Sequence, residues 1–224
     1  MVNLKSKKIN SFVLTVDGAS SSGKSTAAKL LSRKFKIPHL SSGLLYRWAA
    51  KKIMENQPKN KISYLNKIFF KLNIKNLEKI NLHSPEISKY SAMIAKKLFV
   101  RKIIKRKQKV WVKKNKEKCV IEGRDSHLIF PNAIVKFFLK ANLKTASSRR
   151  YNELKKKDRT ISLKQVKKDL KIRDYSDRKR KHSPLTLSKD HVVIRSDILN
   201  KKQMINKMSS IVLEKIKLKY GIRN

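Results

Sequence analysis

The chain has 224 residues, of which 58 are Lys or Arg and 15 are Asp or Glu, so its formal net charge is +43. That length is enough for one domain with a substantial core, and no apolar stretch approaches the roughly 20 residues that a membrane-spanning helix needs. Because the cationic residues are spread along the whole chain and are not gathered into one patch with interleaved aromatic residues, the composition argues against a dedicated nucleic-acid-binding protein.

The first predicted elements are a short buried strand at about 11–17 and an amphipathic helix at about 24–36. The segment between them fills every fixed position of the phosphate-binding pattern G-x-x-x-x-G-K-[ST]. Its residues are Gly18, Ala19, Ser20, Ser21, Ser22, Gly23, Lys24 and Ser25, and Thr26 follows. The glycines let the backbone approach a polyphosphate, whose charge is met by amide groups at the start of the helix. In this context a match by accident is the weaker reading, so we expect Lys24 to reach the β/γ-phosphates and the Ser25 hydroxyl to meet Mg²⁺.

A short strand at about 37–40 and a helix at about 43–55 come next. The segment 56–85 opens with Gln-Pro and closes with Ser-Pro, and short alternating runs lie between these breaks. That pattern favours a few small strands or a loose cap. A helix at about 86–113 follows it.

The rest of the chain alternates apolar strands with helices. Strands are predicted at about 118–122, 134–139 and 191–195, and helices near 143–157, 162–174 and 201–219. This order predicts an α/β fold, with a five-stranded, mostly parallel sheet flanked by helices.

Two features of this second half have competing interpretations. Cys119, the only cysteine, lies within a predicted strand, so a buried core position is favoured over a reactive thiol and no intrachain disulfide can form. The last helix carries an apolar stripe at helical spacing, which favours core packing over a binding surface. The stripe comprises Met204, Met208, Ile211, Val212, Lys215 and Ile216.

The apolar segment after the N-terminus is too short for a signal peptide and runs into Asp17, so a cytoplasmic protein is expected.

Three polar clusters follow strand ends or helix ends and must define the reaction, since a phosphate-binding loop alone does not. They are Ser42-Gly43…Tyr46-Arg47, Gly123-Arg124-Asp125, and Arg173-Asp174…Asp177…Arg180 before Pro184-Leu185. Together with the loop, and in the same order, they resemble the bacterial cytidylate kinase family, whose members carry S-G-x-x-Y-R, G-R-D and R-D-x-x-D-x-x-R segments. Phe130-Pro131-Asn132-Ala133 and the segment 148–154 continue the likeness over nearly the whole chain.

That resemblance implies a P-loop nucleoside-monophosphate kinase that transfers the γ-phosphoryl group of ATP to CMP or dCMP with Mg²⁺. It implies that the acceptor's phosphate is held by Ser42, Arg47 and Arg124, and that Arg101 and Asp125 meet the cytosine. It also implies that Arg173 and Asp177 approach the sugar, that Tyr46 belongs to the acceptor site, and that Arg180 reaches across the phosphates. Arg149 is expected near ATP, and the expected catalytic residues are Lys24, Arg124 and Arg180.

The residue types support those roles independently of the likeness. Phosphoryl transfer asks a protein mainly to align two anions and to neutralise the charge that keeps them apart. Arginine suits this work because its planar fork binds phosphate oxygens in pairs and stays charged. In a chain so rich in lysine, arginine nevertheless fills the motif positions 47, 124, 173 and 180.

Several motif residues also have plain structural interpretations. Arg47 could be a solvated helix residue, Asp125 could cap a helix, and Asp174 and Asp177 could form ion pairs within their own segment. Glu122 could assist Mg²⁺ through water or could simply be polar at a strand end. The five histidines lack metal-ligand spacing in sequence, so none is given a catalytic role.

The chain departs from the family's pattern in three places. The segment Ser126–Ile129 lacks the usual glycine and is one residue short, so a different loop path is expected there. Ala92 stands where the family tends to place a serine near the cytosine amino group, with Ser91 one position earlier. The insertion at 56–85 is shorter than usual.

The expected organisation is a single kinase domain that behaves as a monomer. Its core covers about 9–55, 86–157 and 186–224, an acceptor-binding insertion covers about 56–85, and a mobile lid covers about 158–185. One rival function is a kinase of the same architecture that acts on UMP, AMP or shikimate. The less favoured rival is a nucleic-acid-binding protein that uses the nucleotide only as a switch, which would bind RNA or DNA in a salt-sensitive way.

Overall fold

The computed structural model describes residues 9–156 and 158–222, and these residues form two compact units. The first unit contains the chain up to Leu40 and from Asn115 onward, and the second contains Ser41–Lys114. The second unit is therefore larger than the insertion at 56–85 that the sequence indicated. Among the described residues, no helix combines the length and the apolar character that crossing a membrane requires.

The first unit is built on a sheet with the strand order β2-β3-β1-β4-β5. The strands are β1 (Phe12–Gly18), β2 (His39–Ser41), β3 (Lys118–Gly123), β4 (Val135–Lys140) and β5 (His191–Arg195). β1 pairs in parallel with β3, with Asp17 opposite Gly123, and with β4, which in turn pairs in parallel with β5. A parallel sheet is covered on both faces, which explains why its strands read as continuous apolar runs. The predicted five-stranded α/β fold is confirmed.

Helices α1 (Lys24–Phe35) and α9 (Lys201–Tyr220) pack on this sheet and on each other. Their buried residues join the strands in one hydrophobic core, which includes Leu31 from α1 and Phe137 from β4. The predicted core stripe of α9 is confirmed at four positions, while Ile211 is half-buried and Lys215 is exposed. The four buried residues are Met204, Met208, Val212 and Ile216. Cys119 is also fully buried, and burial raises the pKa of its thiol to about 12, as expected of a core residue.

A smaller core lies between α7 (Leu143–Lys155) and α8 (Leu163–Lys179). Ala146 of α7 packs there with Val166 and Leu170 of α8. The sequence predicted α8 to end near residue 174, but the helix continues for another turn. That extra turn places the Arg- and Asp-rich motif on the helix itself and not in a polar loop.

The second unit is helical throughout its regular elements. It contains α2 (Ser42–Asn56), α3 (Lys61–Lys71), a 3₁₀ helix (Ile74–Lys79), α4 (Pro85–Ile94) and α5 (Leu98–Lys114). The strands considered for 56–85 were wrong, because Leu65 and Phe69 are one helical turn apart and both are buried on α3. The Asn60 side chain accepts a hydrogen bond from the Ser63 amide and begins that helix. Phe69 then packs edge-on against Trp48, with ring centroids 5.0 Å apart.

The single helix predicted at 86–113 is two helices, α4 and α5. The break falls at residues 95–97, where the amides of Lys96 and Lys97 donate to carbonyls three residues earlier, as in a 3₁₀ turn. The Ala95 carbonyl accepts a hydrogen bond of 2.9 Å from the Arg101 guanidinium. Because neither Gly nor Pro marks the break, the local sequence carried no signal for it.

Candidate active site

The loop between β1 and α1 adopts the backbone that the phosphate-binding motif requires. Gly18 has φ +155°, and a Cβ there would lie 2.5 Å from the Leu139 carbonyl oxygen, so no other residue fits without a shift. Gly23 is in the left-handed region with φ +84° and makes no side-chain cap to α1. The first amide groups of α1 are therefore left for a ligand, which is the property that makes a helix N-terminus an anion site.

Lys24 and Ser25 begin α1 directly after this loop. The Lys24 ammonium donates to the Ala19 carbonyl at 2.9 Å, and the Ser25 hydroxyl donates to a Glu122 carboxylate oxygen at 3.0 Å. Burial, followed by the positive charge of Arg124, lowers the pKa of Lys24 to about 7. An anion placed beside Lys24 would restore its charged form. Ser25 and Glu122 offer the oxygen ligands that Mg²⁺ prefers, and their contact fits both interpretations of Glu122, an aid to Mg²⁺ and a polar residue at a strand end.

Arg149 lies beside the same loop through a partner that the sequence did not reveal. Its guanidinium donates to the Ser196 hydroxyl at 3.1 Å and to the Ser196 carbonyl at 2.6 Å. The Ser196 hydroxyl in turn donates to the Ser22 carbonyl at 2.7 Å. Ser196, just after β5, therefore contacts both the loop and Arg149. Thr26 is exposed on the first turn of α1.

Arg124 follows β3 and connects the loop with α8. Its guanidinium donates to the Gly18 carbonyl at 3.1 Å and to the Ser20 hydroxyl at 2.9 Å. It also lies 3.4 Å from a carboxylate oxygen of Asp174 and 3.2 Å from one of Asp177. The two aspartates therefore form ion pairs that reach beyond their own segment, to the end of the central sheet.

Arg180 closes this network after the end of α8. Its guanidinium lies 3.2 Å from Asp177 and 3.6 Å from Asp125, and its Nε donates to the Ser183 carbonyl at 2.6 Å. Asp125 stands at the N-cap position of the short helix α6 (Ser126–Ile129) but makes no side-chain cap, so the alternative role of helix cap does not hold. The positive charge of Arg173 also lowers the pKa of Lys24, although less than burial and Arg124 do.

A buried carboxylate sits directly before the loop, with two histidines beside it. Asp17 accepts the Ser126 amide on one oxygen and the His127 amide on the other, each at 2.9 Å, and the His127 Nδ1 also lies 2.9 Å from it. The His191 Nε2 lies 4.0 Å from the same carboxylate. Burial alone would raise the pKa of Asp17, but the two imidazoles and the two amides together hold it well below its usual range.

This cluster was not expected from the sequence, because Asp17 lies more than 100 residues before both His127 and His191. Its three side chains are close enough to hold a metal ion. However, the His191 Nδ1 accepts the Ser188 amide at 2.9 Å, so the neutral ring carries its proton on Nε2 and presents a donor to Asp17. The cluster is therefore better suited to hydrogen bonding, and it ties the start of the loop to α6. The expected new path of Ser126–Ile129 is this helical turn.

The predicted acceptor residues of the second unit lie on α2 and α5. Ser42 is the first residue of α2 and is buried. Arg47 donates to the Leu82 carbonyl at 3.2 Å and lies 2.7 Å from the His83 Nδ1, so it is held by the 3₁₀–α4 connection and is not simply solvated. The Arg101 guanidinium is buried and lies over the Tyr46 ring, 5.6 Å from its centroid.

Comparisons with known proteins point to one family. The profile of a family described as "Cytidylate kinase" matches residues 14–214. A cytidylate kinase of Mycoplasmoides gallisepticum is 31% identical over 226 residues, covering 96% of this chain and 99% of that protein. A cytidylate kinase of Thermosipho melanesiensis is 33% identical over 217 residues, covering 92% and 98%.

The fold also has a solved counterpart. The crystal structure of TT1252 from Thermus thermophilus matches with a TM-score of 0.51 at 18% identity, covering 92% of this chain and 97% of that one. At that identity the likeness concerns the fold alone.

Proposed function

The chain belongs to the cytidylate kinase family, and from that premise we propose that it transfers the γ-phosphoryl group of ATP to CMP or dCMP, giving ADP and CDP or dCDP. One observation carries the proposal for this particular chain. Arg124 donates to the phosphate-binding loop and pairs with Asp174 and Asp177 of α8, so one guanidinium joins the two motifs to which donor and acceptor are assigned.

The donor half of the proposal uses the loop and its surroundings. Backbone amides from Gly18 to Thr26 would surround the ATP phosphates, and Lys24 would reach the transferring group. Arg149, held by Ser196, would lie along the nucleotide. Ser25 and Glu122 are the oxygen donors that would hold Mg²⁺, which neutralises phosphate charge when bound.

In the first unit, the residues that we assign to the acceptor are Arg124, Asp125, Arg173, Asp177 and Arg180. In the second unit, the family resemblance assigns Ser42, Tyr46, Arg47 and Arg101 to the acceptor. The arginines would neutralise the acceptor phosphate and align it for in-line attack. Asp125 and Arg101 would meet the base. We further propose that 158–185 acts as a lid and 56–85 as an acceptor-binding insertion, whose closure excludes water so that ATP is not hydrolysed.

The test is a panel of acceptors, assayed one at a time with ATP and Mg²⁺ for ADP formation and for the phosphorylated product. CMP and dCMP should give the highest kcat/KM, with UMP, AMP and shikimate far lower. A higher kcat/KM for any of these three would assign the chain to another substrate. ATP binding with no transfer to any acceptor, together with salt-sensitive RNA or DNA binding, would favour the switch protein instead.

A further inference from the structure

A carboxylate from α8 lies on the phosphate-binding loop. The backbone amide of Ser20, the third residue of the loop motif, donates to Asp174 Oδ1 at 2.9 Å. The amides of such a loop are the groups that meet phosphate oxygens. An anionic oxygen of the protein itself therefore occupies a position for which the loop is built to hold a ligand.

The packing of α8 directs Asp174 to this position. Val166 and Leu170, buried in the core shared with α7, precede Asp174 on the same face at intervals of four residues. Past them, that face of the helix turns polar. Asp174 and Asp177 have side chains only 20% and 15% exposed. The helix thus extends its buried stripe with two acidic residues toward the end of the sheet.

The surrounding charges are those of a phosphate site. Arg124 lies 3.4 Å from Asp174, and the charge of Asp174 acts to raise the pKa of Lys24, against the opposite effects of burial, Arg124 and Arg173. A polyphosphate at the loop would act on Lys24 in the same direction as Asp174 and more strongly, because it carries more negative charge. Asp174 is therefore a weaker substitute for the anion that the site holds during turnover.

We propose that Asp174 is an internal competitor of the donor phosphates: its carboxylate occupies the Ser20 amide until ATP displaces it, and it thereby sets the affinity for ATP. The inference rests on the proposed function in one respect, namely that this loop binds the phosphates of ATP. A loop that is free only part of the time binds with an affinity reduced by that fraction. Displacement also releases one of the contacts that hold α8 over the loop. Donor binding is therefore coupled to the position of α8.

An ion pair between Asp174 and Arg124 with no other role makes a different prediction. In that case removing the carboxylate would lower the free energy of unfolding and would leave the affinity for ATP unchanged. A general change in electrostatic potential makes a third prediction, since loss of any nearby carboxylate would then strengthen phosphate binding equally. The Asp177→Ala variant tests this third prediction. Asp177 also pairs with Arg124, whereas the hydrogen bond from the Ser20 amide goes to Asp174.

The experiment measures the dissociation constants of ATP and of adenosine by titration calorimetry for four proteins. They are the wild type, Asp174→Ala, Asp177→Ala and Asp169→Asn. Asp169 is exposed on the same helix and bonds to Gln165, so its variant is the matched control. Asp174→Ala should bind ATP about ten-fold or more tightly, since a charged competitor for the amide is gone, with no change for adenosine. Asp177→Ala should gain clearly less, and the control should match the wild type.

A second readout uses the unmodified protein. The Ser20 amide proton and the Asp174 carboxyl carbon, followed by NMR, should both shift on addition of ATP as one hydrogen bond replaces the other. Equal ATP affinity in wild type and Asp174→Ala, an equal gain in Asp177→Ala, or a static Asp174 carboxyl signal on ATP saturation would overturn the inference. If kinase turnover on CMP is normal in the control, those results leave the proposed function standing. Absence of ATP binding in all four proteins would overturn both.

Discussion

The phosphate-binding loop and helix α8, which we propose to bind the same two nucleotides, are built by different means. The loop is made of backbone, fixed by the φ of Gly18 and Gly23 and by the start of α1. Helix α8 contributes only side chains. Ion pairs of Asp174 and Asp177 with Arg124, and of Arg180 with Asp125, hold it over the sheet. A backbone site can be read from a motif and changes little, whereas a site made of ion pairs rearranges when a charged ligand arrives. The loop is therefore the rigid part of the site, and α8 is the adjustable part.

The largest effect on kcat is expected in the phosphate-binding loop. Lys24→Ala removes the cation nearest the transferring group, so kcat should fall by about three orders of magnitude or more while the fold persists. Lys29→Ala, an exposed lysine on the same helix, is the matched control and should leave turnover unchanged. Steady-state kinetics and circular dichroism measure the two properties. Unchanged turnover in Lys24→Ala would mean that the loop does not serve this reaction.

The next largest effect on kcat is expected at Arg124, which connects the loop with α8. Arg124→Lys keeps the charge but loses the planar fork that reaches Gly18, Ser20 and the aspartates at once, so kcat should fall about 10²-fold to 10³-fold. Arg150→Lys, which alters an arginine paired with the exposed Glu153, is the control. If Arg124→Lys keeps wild-type kcat, charge alone is sufficient and the fork geometry is unimportant.

The free energy of unfolding should respond to a change at Asp17, the buried residue directly before the loop. Asp17→Asn replaces a buried carboxylate that accepts two amides and the His127 ring, and should lower the free energy of unfolding by about 2–4 kcal/mol. Asp190→Asn, which loses a pair with Lys136 on an exposed carboxylate, should change it by less than about 1 kcal/mol. Urea denaturation of the three proteins measures both differences.

The same pair of variants gives a pH test with a defined sign. The pKa of Asp17 is lower in the folded protein than in the unfolded chain, where it is about 4. Its contribution is therefore complete above about pH 4 and is lost as the pH falls further toward the folded pKa. The stability advantage of wild type over Asp17→Asn should shrink in acid. An advantage that stays constant down to pH 3 would contradict the hydrogen-bonded carboxylate described here.

The smallest effect should be at Cys119. Its pKa of about 12 and full burial predict almost no reaction with a thiol reagent at pH 8 in the native protein, and full reaction in denaturant. Rapid modification without denaturant would show that the core of β3 opens readily.

The sequence predicted the backbone-built parts of the site well, for physical reasons. Apolar runs identify buried parallel strands, and glycines at fixed spacing identify a loop that only glycine permits. It failed where a contact depends on tertiary packing. Ser196, which follows the edge strand β5, holds Arg149 and Ser22 together. His127 and His191 meet Asp17 only once β1, α6 and β5 are assembled.

Three errors in secondary structure had local causes. The segment containing α3 looked alternating because short runs such as Ile62-Ser63-Tyr64 alternate apolar and polar residues, yet Leu65 and Phe69 obey the helical period. The break after α4 has neither Gly nor Pro, so the pattern there continued as if one helix ran through it. In α8 the polar composition hid a helix end whose acidic and basic residues are paired with each other and with Arg124.

We propose that this chain selects CMP or dCMP as the acceptor of the ATP γ-phosphoryl group. A competition assay tests this choice: CMP, UMP and isotopically labelled AMP are supplied at equal concentration with limiting ATP and Mg²⁺, and mass spectrometry quantifies CDP, UDP and the labelled ADP, which is distinct from the ADP left by ATP. The product ratio equals the ratio of kcat/KM values. CDP should be the dominant product, and dCDP should replace it when dCMP is supplied in place of CMP. Predominance of UDP or ADP made from AMP would contradict the proposal.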